Sequence, residues 1–126
     1  MSRRDWRDLT RRAGLKLQDG AIEVKAGAGR VQHLSVAEEE VDTIRVWTMV
    51  ARRSVVEALE KPELVAWIRN RHVDLVDFRI DSQGRLVGEA TVPMAGLTVE
   101  EWSMYVRIVA QASDRLEYLL TGRDIE

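Results

Sequence analysis

The feature that most constrains this chain is one long apolar stripe near its C-terminal end. Thr98 and Glu101 form a T-x-x-E capping box, and Leu97 is placed to staple against Trp102. Trp102, Val106, Val109, Ser113, Leu116 and Leu120 then recur on one helical face until Gly122 supplies a stop. A stripe of that length is not stable in water. It needs a broad apolar surface to lie on, and the segments before it must provide one.

Those segments read mostly as strands. Ala21–Ala26 alternates, with Ile22 and Val24 on one face and Glu23 and Lys25 on the other. The glycine-containing turn GAGR follows, and Val31–Val36 answers it. Val41–Val50 is the longest and most β-branched run. Further on, VDLVDFRI and RLVGEATV flank DSQG, a turn of the Asp…Gly kind. Val76, Phe78 and Ile80 share one face of that hairpin, and Leu86, Ala90 and Val92 can share the same one. Two more helices complete the pattern. The first spans about Ser2 to Ala13, with Ser2 and Asp5 as cap, Trp6, Leu9 and Ala13 on one face, and Gly14 as stop. After a short amphipathic stretch, Ser54–Leu59, the second runs over Pro62–Asn70 and carries Leu64, Val65 and Ile68, with proline in its first turn. The order is α-βββ-α-ββ-α. It predicts an α+β fold in which an antiparallel sheet carries helices packed on one face, with residues 1–126 as a single domain.

Composition narrows the function. With 126 residues, 45% hydrophobic and 32% charged, the chain can bury a core without staples. It has 19 basic and 21 acidic residues and no basic face, which argues against a nucleic-acid partner. It has no cysteine, hence no thiol nucleophile and no thiolate metal site. Its apolar runs fall short of the roughly 18 residues a membrane helix needs, and the first twenty residues lack the apolar region of a signal peptide. The expectation is a cytoplasmic protein that works without membrane, metal or cofactor.

The stretch WIRNRHVDLVDFRIDSQGRLVGEATVPMAGLTVEEWSMYVRIVAQASDRLEYLL resembles the YbjN family of bacterial proteins, whose fold is that of the type III secretion chaperones. The marks are Asn70 closing a helix, Phe78 central in a strand, the D-x-x-G turn from Asp81 to Gly84, Pro93, and L-T-x-E-x-W opening the last helix. The match covers about half the chain well, and the α-βββ order of the first half agrees with it. The resemblance implies homodimers, protein binding and a role as a sensory transduction regulator. Fold likeness does not by itself specify a site.

Candidate chemistry is thin. His33 and His72 have no second His or Cys at metal-ligand spacing. His72 beside Asp74 reads as a surface pair at a helix–strand junction, lacking a third orienting group. Glu23-Val24-Lys25 has the E-x-K form of a nuclease half-motif, but the acidic partner such a site needs is missing, since Asp19 falls in a turn. Gly27-Ala28-Gly29-Arg30 is a turn without the Lys-Ser/Thr of a phosphate loop. Glu38-Glu39-Glu40 reads as a solvated connection. None of this supports an enzyme.

A surplus of apolar residues is more informative. Ile44, Val46 and Val50 form a core face, yet Val41, Trp47 and Met49 point the other way, and Leu75 and Val87 join them. A sheet covered on one side carries polar residues on its other side, whereas aromatic residues and Met are enriched where proteins bind proteins. Val41, Trp47, Met49, Leu75 and Val87, with Met104 and Ile108 on a second strip of the last helix, are therefore the expected contact residues. The expected function is a protein-binding, chaperone-like or regulatory adaptor, homodimeric, with an unidentified protein partner. The alternative is a small-molecule sensor or weak enzyme using a cleft between the first helix and the sheet.

Overall fold

The computed structural model describes residues 5–40, 42–71 and 75–121. In chain order the elements are α1 (Trp6–Arg12), β1 (Lys16–Gln18), β2 (Ala21–Lys25), β3 (Val31–Glu38), β4 (Thr43–Ala51), α2 (Arg53–Glu57), α3 (Pro62–Asn70), β5 (Asp77–Ile80), β6 (Leu86–Pro93) and α4 (Val99–Thr121). The strands form one six-stranded sheet in the order β1-β2-β3-β4-β6-β5, and every neighbouring pair is antiparallel. This is the expected α+β class. One strand escaped the sequence reading. Leu15 and Leu17 alternate with polar residues ahead of Asp19-Gly20, and both turn residues take positive φ (54° and 80°), which closes β1 onto β2 with Gln18 opposite Ala21. Asp-Gly between alternating runs is a strong hairpin signal.

α4 lies across one face of the sheet, as its stripe requires. Trp102, Val106, Val109, Ala110, Ser113 and Leu116 are buried there, over Ile22, Val24, Leu34, Ile44, Val46 and Ala90 of the strands. The capping box forms reciprocally: Thr98 N–H donates to Glu101 Oε1 at 3.0 Å and Glu101 N–H to Thr98 Oγ1 at 3.1 Å. α1 packs against α4 and β1. Trp102 Nε1 donates to Thr10 Oγ1 (2.9 Å), whose hydroxyl donates onward to Trp6 O (2.7 Å), so one buried threonine joins the two helices. Asp5 caps α1, accepting from Arg7 N–H at 3.0 Å; Ser2 and Gly122 lie outside the described residues. Trp6 and Leu9 are buried in the space between α1 and the sheet where a ligand cleft was the alternative expectation.

α4 comes close against the sheet at Gly88. A β-carbon there would collide with Ser113 Oγ and with the Phe78 ring. Ser113 Oγ is itself buried without a hydrogen-bond partner among the described residues. Two substitutions at this contact should therefore have opposite signs. Gly88→Ala should cost about 1–3 kcal/mol through overpacking. Ser113→Ala should be neutral or mildly stabilising, because it removes an unpaired buried hydroxyl. Urea unfolding of both variants measures the pair.

Candidate functional site

The outer face of the sheet, turned away from α4, differs from the open apolar patch that the alternation suggests. Trp47 points outward as the period of two requires, but it is half-buried between two guanidinium groups. Arg45 lies 5.7 Å and Arg85 5.5 Å from its ring centroid. Arg45 donates to Glu39 (3.2 Å) and Glu89 (3.1 Å), Arg79 donates to Glu89 (3.0 Å), and Arg85 pairs with Asp81 (2.8 Å). Glu39 is thus a partner in this network rather than part of a purely solvated run.

The expected contact residues separate on this frame. Val87 sits on the outer face, opposite both Met49 and Arg79 in register, yet it is only 1% exposed and stands apart from the α4 core. Its neighbours cover it, which removes it from any contact surface. Met49 is exposed. Leu75 is exposed but does not belong to a strand: it has φ 72° and precedes β5, which begins only at Asp77. On α4, Met104 is exposed while Ile108 is half-buried against the core. Val41 lies outside the described residues, and so does His72. His33 stands on the wet side of β3, with Nε2 3.6 Å from Glu23 Oε1 across the strand pair.

The clearest exposed apolar surface is on α3. This helix packs against β5, with Ala66 buried and Val65 half-buried against the core. At 3.6 residues per turn, Leu64, Trp67 and Ile68 come to lie together on the side away from Ala66. They are 43%, 57% and 46% exposed. A surface helix ordinarily turns its apolar stripe inward, and α3 turns one outward. The cause is its attachment. Asn70 Nδ2 donates to Phe78 O at 3.0 Å, and Phe78 N–H donates to Asn70 Oδ1 at 2.7 Å. A side-chain amide thus completes the open edge of β5 and sets the helix beside the sheet rather than over it.

A buried ion pair ties the far end of α4 to the β2–β3 turn. Asp114 is 4% exposed. It accepts from Arg30 Nε at 2.9 Å and Nη2 at 2.8 Å. Gln32 adds a longer bond to Asp114 at 3.4 Å and a shorter one to Glu117 at 2.9 Å, while Thr48 Oγ1 donates to Gln32 Oε1 at 3.2 Å. Gly27 leaves room for this pair, since a β-carbon there would stand 2.9 Å from Arg30 Nη2 and push the guanidinium aside. The Arg30 hydrogen bonds, helped by Gln32 and the Gly27 N–H, outweigh burial and hold the Asp114 carboxyl below the ordinary aspartate range.

Comparison with known proteins places this arrangement. The family YbjN, described as "Putative bacterial sensory transduction regulator", matches residues 2–118. The chain belongs to the YbjN family. Among solved structures, YbjN from E. coli aligns with a TM-score of 0.60 at 18% identity, covering 92% of this chain and 86% of that one. The HopA1–SchA chaperone–effector complex contains a chain aligning at TM-score 0.51 and 12% identity, over 91% of this chain and 86% of that one. The Yersinia pestis type III secretion chaperone SycH, in complex with a fragment of YscM2, aligns at 0.46 and 8%, over 80% and 86%. No curated protein matches the sequence. The fold is therefore that of YbjN and is similar to that of a chain in the HopA1–SchA chaperone–effector complex.

Within this YbjN-family chain, two features of the site escaped the sequence reading. The outward stripe of α3 was visible as apolar residues but not as outward-facing, because helical spacing does not say which side meets the sheet. Leu64-x-x-Trp67-Ile68 was the available signal, since it competes with Val65 and Ala66 for the core. The Arg30–Asp114 pair joins residues 84 apart in sequence, and local pattern carries no trace of it. Among the described residues no cluster of three or more His, Asp or Glu side chains is arranged to hold a metal, and no helix is long and apolar enough to cross a membrane.

Asp114→Asn should destabilise the domain by roughly 3 kcal/mol, because it leaves Arg30 without its carboxylate. The folded carboxyl is lowered, so its contribution is complete above the unfolded value near about 3.9. It is lost as pH falls through the lower folded value. Urea midpoints measured against pH should therefore drop below about pH 4 in the parent chain, and more shallowly in the variant.

Proposed function

We propose that this chain is a non-catalytic protein-binding module, chaperone-like or a regulatory adaptor, that acts as a homodimer in the bacterial cytoplasm with residues 1–126 working as one domain. The observation that carries the reading is the outward apolar stripe of α3. Leu64, Trp67 and Ile68 form a continuous strip on one short helix, and monomers rarely leave such strips in water. A second copy of the chain is a fitting occupant, because α3 is complementary to itself. Glu63 and Arg71, both exposed, stand equally far from Trp67 along the chain. Two such helices crossing antiparallel at Trp67 bring Glu63 opposite the partner subunit's Arg71, and the contact is isologous as a two-fold axis requires.

The fold likeness supports the protein-binding half of the proposal, since one structural relative is a chaperone–effector complex. Met49, Leu75, Met104 and the accessible edge of Trp47 are proposed as further contacts for a partner protein.

Light scattering after size exclusion should give close to twice 14.4 kDa for the parent chain. Trp67→Glu should give a monomer with an unchanged circular dichroism spectrum, because an exposed carboxylate costs the separated subunit little. A parent chain that is monomeric throughout the micromolar range would sink the homodimer, and a Trp67→Glu variant that stays dimeric would sink α3 as its interface.

A further inference from the structure

Behind α3, an open groove of about 970 Å³ runs between the β2–β3 turn and α4. Its cations distinguish it. Lys25, Arg69 and Arg115 line it, and among the described residues none of these side chains makes an ion pair or hydrogen bond. The Arg69 Nε is buried as well as unpartnered. On the outer sheet face and on α2, by contrast, Arg45, Arg53, Arg79 and Arg85 are engaged with carboxylates within 3.2 Å. In a chain of net charge −2, three unpaired cations along one groove are a local concentration that the sequence as a whole does not show.

The wall between the cations is apolar. Ile108, Ala112 and Leu119 line the same groove, and with Arg115 they fall along one side of α4 at helical spacing. The groove's shape is fixed from beneath. Asp114 locks Arg30 in place through its two-pronged bond, and the Arg30 guanidinium lies 5.1 Å from the Tyr118 ring centroid, so that ring forms a held edge rather than a loose one. Among the described residues, the one carboxylate lining the groove, Asp114, is thus already committed to Arg30.

We propose that this groove binds an acidic segment of a partner protein, one in which Asp or Glu side chains alternate with apolar ones. The carboxylates would meet Lys25, Arg69 and Arg115, and the apolar side chains would lie against Ile108, Ala112 and Leu119. An arginine offers a carboxylate a planar, two-pronged contact. The apolar wall discriminates against a purely charged ligand. The proposal rests on the protein-binding reading and deepens it by naming the chemistry of the partner.

The probe is a short fluorescein-labelled peptide in which glutamates alternate with leucines, titrated by fluorescence anisotropy against the whole chain. Saturable binding is expected, weakening as salt rises. The double variant Arg69→Ala/Arg115→Ala should weaken it about tenfold or more while leaving the circular dichroism and the dimer mass unchanged. A peptide with glutamine for glutamate should bind poorly, and so should one with glycine for leucine. Trp67→Glu should leave peptide binding intact, which separates the groove from the dimer surface. Absence of saturable binding by a folded dimeric parent chain would overturn the groove and leave the homodimer standing. Equal binding of the glutamine peptide, indifference to the double substitution, or tighter binding of a single-stranded oligonucleotide would each overturn it too.

Discussion

The contact surface proposed for this molecule depends on the two hydrogen bonds between Asn70 and the backbone of Phe78. A strand at the edge of a sheet leaves N–H and C=O groups open to further pairing. Here one side-chain amide supplies both the acceptor and the donor that Phe78 needs. Because that amide closes α3, the helix is held alongside β5 and cannot roll over the sheet to bury Leu64, Trp67 and Ile68. A device that protects an edge thereby also creates an exposed apolar strip. Phe78 in turn is pinned on its inner side by Gly88 and α4, so the position of α3 is referred to the centre of the fold.

The rest of the surface shows how the same chain avoids unwanted contacts. The outer face of the sheet carries Trp47, Met49 and Val87, an apolar set on its own. Arg45, Arg79 and Arg85, with Glu39, Glu89 and Asp81 between them, lay long charged side chains over it. Arginine stems cover apolar area while their guanidinium groups stay hydrated and paired. Val87 is consequently as buried as a core residue without belonging to the core. Such a face leaves only Met49 and an edge of Trp47 accessible, whereas α3 exposes a whole stripe.

Much of this was legible in the sequence. The capping box and stripe of α4 carried their own signals, as did the DSQG hairpin. The marks of the YbjN family, Asn70 and Phe78 among them, named the fold before their hydrogen bonds were seen. The orientation of α3 was not legible, because periodicity reports that a helix has a stripe and leaves open whether the stripe faces the sheet. Nor was the covering of Val87, which follows from side chains on three different strands or turns. Leu75 was assigned to a strand that does not begin until Asp77, since alternation continued through a residue whose backbone takes the left-handed conformation. The groove was out of reach for the same reason as the Arg30–Asp114 pair: its cations come from β2, α3 and α4, far apart in the chain.

The central claim is that copies of this chain meet through α3 and not through the outer sheet face. The chain has no cysteine, so a single introduced thiol reports its own surroundings. Leu64→Cys and Ile68→Cys place that thiol on the α3 stripe, and Met49→Cys places it on the outer face of β4. Under mild oxidation at micromolar concentration, non-reducing gels should show covalent dimers for at least one of the α3 variants and monomers for Met49→Cys. Covalent dimers from Met49→Cys with none from α3 would contradict the account.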